Sequence, residues 1–184
     1  MDYYLERTNK HIGLVQGAAA KIEKAYSEEF AGLVEQAEDH DSSKLEEPEL
    51  TPYVAITWRH KLEKESGKFD PIKGKGYQTP GKLEKKEEDD ATLHHIRNAK
   101  HHPEHWLDDK TKANLGTNRD DSIECVDASK MPDMDVAEMV ADWAAMGEEL
   151  GNEAREWFNK VKDVRWHFSK HQEELIDRLL GVFE

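Results

Sequence analysis

A single cysteine, Cys125, leaves this 184-residue chain without a partner for an internal disulfide. Whatever fold forms is held by its own core, and a reducing, cytoplasmic compartment is the expectation. Long apolar runs are missing as well. The opening stretch MDYYLERTNKHIG carries charge where a signal peptide carries an apolar core, and no run approaches a membrane span, so no membrane partner is expected. Basic residues are scarce: 26 Lys and Arg stand against 40 Asp and Glu, a formal net charge of -14. That balance argues against nonspecific nucleic-acid binding, which needs a basic surface for phosphate contacts. An anionic substrate would need a local positive centre, and a bound metal can supply one. A phosphate-cradling loop is also lacking, because GKGYQTPGK is too irregular for one and follows no strand pattern. There is no internal repeat.

What is present is helical periodicity. Hydrophobic and charged residues each make up 36% of the chain, which suits one domain over residues 1–184 with a compact core and a heavily ionised surface. Leu5, Ile12, Val15, Ala19 and Ile22 recur at helical spacing between Tyr4 and Tyr26, and His11 falls on or beside that buried face. A histidine so placed is either a hydrogen-bonded core residue or a ligand. Ser27 caps a second predicted helix that buries Phe30, Leu33, Val34 and Ala37 and continues through His40, Asp41 and Lys44. Tyr53, Val54, Ile56 and Trp58 are expected in the core, on a short helix or extended segment. Residues 61–90 read as a long polar loop insertion, and Lys110 to Met131 as a second loop. Pro132 and Asp133 open a strong helix to about Gly147, with Val136, Met139, Val140, Trp143 and Met146 buried. The remainder, including a C-terminal helix within 164–184, supplies Leu150, Ala154, Trp157, Phe158, Val161, Leu175, Ile176, Leu179 and Leu180 as core. Trp166, His167 and His171 are within possible reach of a cleft. The expected fold class is all-α: a single helical bundle with a long polar loop.

Chemistry concentrates in LHHIRNAKHHPEHW, Leu93 to Trp106, which holds five of the ten histidines. His94 and His101, like His95 and His102, are seven apart, two helical turns, so each pair shares a face if the helix runs that far. Pro103 places His102 at a junction, while His105 belongs to the surface and Trp106 packs inward. The fragment HDSSK adds His40, Asp41 and Lys44 to what the periodicity makes an apolar face, where an imidazole, a carboxylate and an ammonium are costly unless they pair or bind an ion. On the helix after Pro132, Asp135, Glu138 and Asp142 share a face and repel unless a cation sits among them. Asp142 is the candidate ligand and Glu138 the candidate partner that orients a histidine. Imidazole and carboxylate gathered from separate segments are how transition-metal sites are built, and they suit Mn, Fe, Co, Ni or Zn comparably.

The order His11, His40-Asp41, a histidine cluster, then Asp142, each on a predicted helix, resembles the HD-domain superfamily of metal-dependent phosphohydrolases. In that superfamily a helical bundle presents a histidine, an adjacent His-Asp pair and a late aspartate to one or two divalent ions. HDSSK looks like the variant in which a lysine follows the pair, as in the HD-GYP group, which also uses further histidines; the GYP signature itself is absent. Closer still is the resemblance to a family of uncharacterised phage and bacterial proteins with KHI, HD-x-SK, PYVAITWRH, HHPEHW and EMVADW segments, covering roughly Leu5 to Lys160. The doubled histidines leave open which of His94, His95, His101 and His102 are ligands.

The resemblance implies a phosphohydrolase acting on a nucleotide or related phosphate ester. His11, His40, Asp41 and Asp142 would hold a divalent ion that lowers the pKa of a water and polarises the phosphoryl oxygen. His95, His101 and His102 would complete a second site or contact substrate, and Lys44 would stabilise phosphate charge. Two other readings use the same residues: a di-iron oxygenase of the HD type, and a phage accessory protein that binds a partner and keeps the metal for structure.

Overall fold

A computed structural model describes residues 1–65, 85–113 and 124–184. Among them run α1 (Asp2–Ala25), α2 (Leu33–Gln36), α3 (Leu50–Glu65), α4 (Lys85–Asn98), α5 (Asp133–Leu150), α6 (Ala154–Val161) and α7 (Lys170–Leu180), so the fold is all-α. The exception is a two-residue parallel pair, β1 (Val126–Asp127) with β2 (Trp166–His167). No helix of the described residues is long and apolar enough to cross a membrane.

Helix α5 is the axis. It packs against α1, α2, α6 and α7, and every position from Asp135 to Ala141 is buried. Its apolar side, with Val136, Val140 and Ala141 at 0% exposure, meets Val15, Ala19 and Ile22 of α1, which are equally closed off. Burying a Val or Ile side chain stabilises the fold by about 1.5–3 kcal/mol, so this seam fixes α1 and α5 relative to one another. Around Trp143 an aromatic cluster forms: Trp166 stacks on it at 5.9 Å and 14°, with Phe158 at 6.1 Å and Phe168 edge-on at 6.5 Å. Gly151, at φ 73°, ends α5 in the left-handed conformation that glycine adopts without strain. Gly147 lies so close to the following turn that a Cβ there would sit 2.6 Å from the Asn152 carbonyl. Helix α7 starts on a capping box, in which Ser169 and Gln172 exchange side-chain and backbone hydrogen bonds.

Several expectations need correction. The helix predicted from Ser27 through Lys44 is broken into pieces. Gly32, at φ 91°, precedes the single turn of α2, a 3-10 turn covers Ala37–Asp39, and Asp41 adopts φ 58° before a second 3-10 turn, Ser42–Leu45. Phe30, Leu33 and Ala37 are buried as expected. The loop predicted over 61–90 is helical at both ends, where α3 reaches Glu65 and α4 begins at Lys85; the rest of it, 66–84, falls outside the described residues. Acidic Glu87 and Glu88 in the first turn of α4, with the i,i+4 pairs Lys85–Asp89 and Lys86–Asp90, let so polar a segment be helical. Tyr53, Val54, Ile56 and Trp58 do lie on a helix but are only half-buried and outside the main cluster. Leu150 is 56% exposed, because the helix ends there and turns away. In the segment read as a loop from Lys110 to Met131, Lys110–Lys112 form a 3-10 turn and Val126–Asp127 form β1; residues 114–123 fall outside the description.

Candidate metal centre

The break at Asp41 brings the two halves of the His-Asp pair to the same place. On a continuous helix adjacent side chains diverge by about 100°. Here His40 leaves the 3-10 turn in an extended conformation (φ -53°, ψ 128°) and Asp41 enters the left-handed region at φ 58°. Both side chains then point inward, and His40 and Asp41 retain only 2% and 5% of their surface. A left-handed aspartate is uncommon and costs on the order of 1 kcal/mol, a strain characteristic of functional positions.

Around Asp41 the other elements supply imidazoles. From α1 comes His11, whose Nε2 lies 3.8 Å from Asp41 Oδ2 and 3.1 Å from Asp142 Oδ1 on α5. His40 Nε2 lies 3.8 Å from the same Asp41 oxygen and 3.9 Å from Asp142 Oδ1. On the other side, Asp41 Oδ1 is 3.1 Å from His95 Nε2 and 3.7 Å from His101 Nε2. His102 completes that side, its ring 4.5 Å from His101 and 5.0 Å from His95 between centroids. His11, His40 and Asp142 form one group whose donor atoms lie within 4.8 Å of each other, and His95, His101 and His102 form another. Asp41 stands between them, one carboxylate oxygen toward each.

Behind the imidazoles lies a ring of carboxylates. His40 Nδ1 and Glu138 Oε1 are hydrogen-bonded at 2.9 Å, and His101 Nδ1 lies 3.3 Å from that same oxygen. His95 Nδ1 meets Glu49 Oε2 at 3.1 Å, and His11 Nδ1 is 3.3 Å from Glu149 Oε2 without hydrogen-bond alignment. An Nδ1–H held by a carboxylate leaves Nε2 as the free lone pair, the tautomer a metal ligand requires. Glu138, His40 and His101 also group closely enough to be considered as a metal site of their own. The 2.9 Å separation of His40 Nδ1 from Glu138 is a hydrogen-bond length, however, so Glu138 reads as an orienting group.

The electrostatics agree with a site meant for cations. Burial alone would raise the Asp142 carboxyl, but its hydrogen bond to His11 and the nearby charge of His40 hold it well below the carboxylate range. For Asp41 burial is likewise outweighed, here by the Lys44 ammonium 2.6 Å away and by His40 and His95. Glu138 is held down at about 2 against its burial by hydrogen bonds from His101, His40 and Gln36. His102 is pushed well below the usual imidazole value by burial and by the charges of His101 and His95, so it stays neutral and competent to ligate. Asp135 goes the other way, raised to about 6 by burial and by the Glu138 charge. His40 Nε2, His95 Nε2 and Asp41 Oδ1 are buried with no hydrogen-bond partner. Each such atom left unsatisfied costs roughly 1–3 kcal/mol. An ion coordinated by those atoms removes that cost, so the residues present fit a divalent metal.

The predicted ligands His11, His40, Asp41, His95, His101, His102 and Asp142 therefore all converge, together with Lys44. His94 does not: its side chain is 42% exposed and its Nδ1 turns to Glu49 Oε1 at 2.7 Å. The ends of the histidine run separate because α4 stops at Asn98, so the seven-residue pairing does not follow a helix face. His102 does sit at the junction before the turn opened by Pro103. Trp166, His167 and His171 do not line the site. Trp166 is core, with Nε1 donating to the buried Glu104, and the two histidines pair at the surface with Asp163 and Asp133. Glu49, fully buried, and Glu149 went unrecognised in the sequence; Glu49 lies between Pro48 and Pro52, where no periodicity marks a buried face. A small pocket between α1 and α5, lined by Gly13, Gly17, Lys21, Ala144 and Phe183, shares none of the site's side chains.

Comparison with known proteins places the chain without explaining it. The model of a family of unknown function (DUF5662) matches residues 1–181, and the chain belongs to that family. No curated protein and no solved structure matches.

Proposed function

We propose that this member of the family is a metal-dependent phosphohydrolase of the HD type, acting on a nucleotide or a related phosphate ester. The observation that carries the reading is the shared carboxylate: Asp41 offers Oδ2 to His11 and His40 and Oδ1 to His95 and His101, with Asp142 opposite. In this reading His11, His40, Asp41 and Asp142 hold one ion, and His95, His101, His102 and Asp41 hold a second. Divalent ions so held supply an activated water and polarisation of the phosphoryl oxygen. Lys44 supplies fixed positive charge beside them. Its ammonium is 2.6 Å from Asp41 and lies 5.1 Å from the centre of the Tyr53 ring, and the side chain keeps 21% exposure, enough to meet an incoming phosphate. In a chain of net charge -14 an anionic substrate needs such a local positive centre.

A second reading, a di-iron oxygenase, is favoured by the histidine count of the second cluster, since nitrogen-rich sites suit iron as well as other transition metals. The experiment is elemental analysis of the purified protein and its Asp41→Ala variant, followed by a nucleotide-phosphatase screen with Mn, Co, Ni, Zn or Fe. Bound metal and phosphate release in the parent, both lost in the variant, are expected. A parent that stays metal-free after reconstitution overturns the proposal; iron with oxygen-dependent turnover and no phosphate release replaces it with the second reading.

A further inference from the structure

We propose that Glu138 is a positioning residue that couples the two ion sites, whereas Glu49 serves one of them alone; this rests on the two-ion reading above. A single oxygen, Glu138 Oε1, lies 2.9 Å from His40 Nδ1 and 3.3 Å from His101 Nδ1. Those two imidazoles belong to different clusters, and their rings lie 4.1 Å apart between centroids. The orientation of one ligand in each site is thus set by the same atom. The other oxygen, Oε2, accepts from Gln36 Nε2 at 2.7 Å, and Gln36 also donates to Asp135 Oδ1 at 3.0 Å. With both oxygens engaged and only 4% of the residue exposed, the carboxylate has no freedom to follow one histidine and leave the other.

Glu49 is built differently. Its Oε2 meets His95 Nδ1 at 3.1 Å and Ser43 Oγ at 2.9 Å, and its Oε1 meets His94, which is not a ligand. It therefore touches only the second cluster. Replacing a carboxylate that orients a ligating histidine typically weakens metal binding by about 10–100-fold. In Glu138→Gln the amide nitrogen must face either the two imidazole N–H groups or the Gln36 amide, donor against donor, so neither arrangement restores the original contacts.

The test is a titration with Co2+ alone, read by bound equivalents and by the visible absorption of each site, on the parent, Glu138→Gln, Glu49→Gln and Gln36→Ala. Far-UV circular dichroism melts on the metal-free proteins check the fold. The parent should bind two equivalents. Glu49→Gln should keep one tight equivalent and weaken the other, whereas Glu138→Gln should weaken both about 10–100-fold. Gln36→Ala keeps the Glu138 carboxylate and removes its clamp, so it should weaken both by a smaller factor and reads the coupling even if Glu138→Gln fails to fold. One site unaltered in either Glu138→Gln or Gln36→Ala, or a single equivalent in the parent, overturns the coupling. A parent that binds no ion overturns the metal reading itself, and one that binds two ions but hydrolyses nothing leaves the coupling standing.

Discussion

The two clusters at Asp41 are alike in ligands and unlike in support. His11 and Asp142 stand on α1 and α5, whose neighbouring side chains Val15, Ala19, Val140 and Ala141 belong to the main core and are fully buried. His95 stands near the end of α4, whose other buried residues, Ala91 and Ile96, lie outside that core, and His101 and His102 come from the turn that follows. The first cluster stands on packed helices at His11 and Asp142, with His40 held by Glu138. The second is held chiefly by hydrogen bonds and ion pairs to the buried Glu49 and Glu138, so its geometry depends on polar contacts more than on packing.

The sharpest way to break the comparison is to remove one ligand from each side. Asp142→Ala should lose the first equivalent of metal and leave the second, and His95→Ala should do the reverse, each by about 100-fold or more, beyond the usual loss for an orienting group. Inductively coupled plasma measurement after dialysis decides it. Loss of both equivalents from either variant would mean a single site and remove the distinction drawn here.

A cavity in the packed side should separate stability from binding. Trp143 is 6% exposed and in ring contact with Phe158, Trp166 and Phe168, so Trp143→Ala should cost about 3–5 kcal/mol. Urea denaturation with and without metal measures it. None of the rings in contact with Trp143 belongs to a proposed ligand, so the affinity of the second cluster should stay within about threefold of the parent, a change below 1 kcal/mol.

Acidity distinguishes the metal-free from the loaded state. Burial pulls His11 down, but the carboxylates of Asp142, 3.1 Å from Nε2, and Glu149, 3.3 Å from Nδ1, outweigh that and raise it from 6.5 to about 9. A base whose folded pKa is raised contributes stability in full below its unfolded value and loses it as pH climbs through the folded one. The melting temperature of the metal-free protein should therefore fall between pH 6.5 and about 9. Ligation requires neutral imidazole, so the metal-loaded protein should lack this drop, and ion uptake in that window should release a proton, visible as a buffer-dependent heat. A flat profile for the metal-free protein would place His11 outside the ion pair with Asp142.

Much of this was legible in the chain itself. Helical periodicity located α1 and α5, polar groups at positions where that period demands apolar ones singled out His40 and Asp41, and the row of like charges Asp135, Glu138 and Asp142 on one face singled out Asp142. The left-handed turn at Asp41 was hidden, because periodicity predicts the continuation of a helix and an aspartate tolerates φ above zero without announcing it. Glu49 was hidden for a different reason. It sits between Pro48 and Pro52, where local signals say only that the chain turns, and its burial comes from contacts with His94 and His95, 45 and 46 positions away. Long-range pairing of this kind has no local signature.

The same contact sharpens the choice among the histidines at its smallest scale. His94 and His95 are neighbours in sequence and share Glu49, one on each oxygen. Their exposures differ: the His95 side chain is 2% exposed with Nε2 facing Asp41, and the His94 side chain is 42% exposed. The difference follows from the helix, since adjacent residues point about 100° apart and only one of them can face the centre. His94→Ala should then keep both ions and cost roughly 1–3 kcal/mol, because it leaves Oε1 of the fully buried Glu49 without this partner. Its effect should show as a slightly faster loss of the second ion to a chelator, because Glu49 loses one of the groups that fixes it. If His94→Ala instead strips an equivalent, the ligand of the second site is His94, and Glu49 orients a different imidazole from the one assigned here.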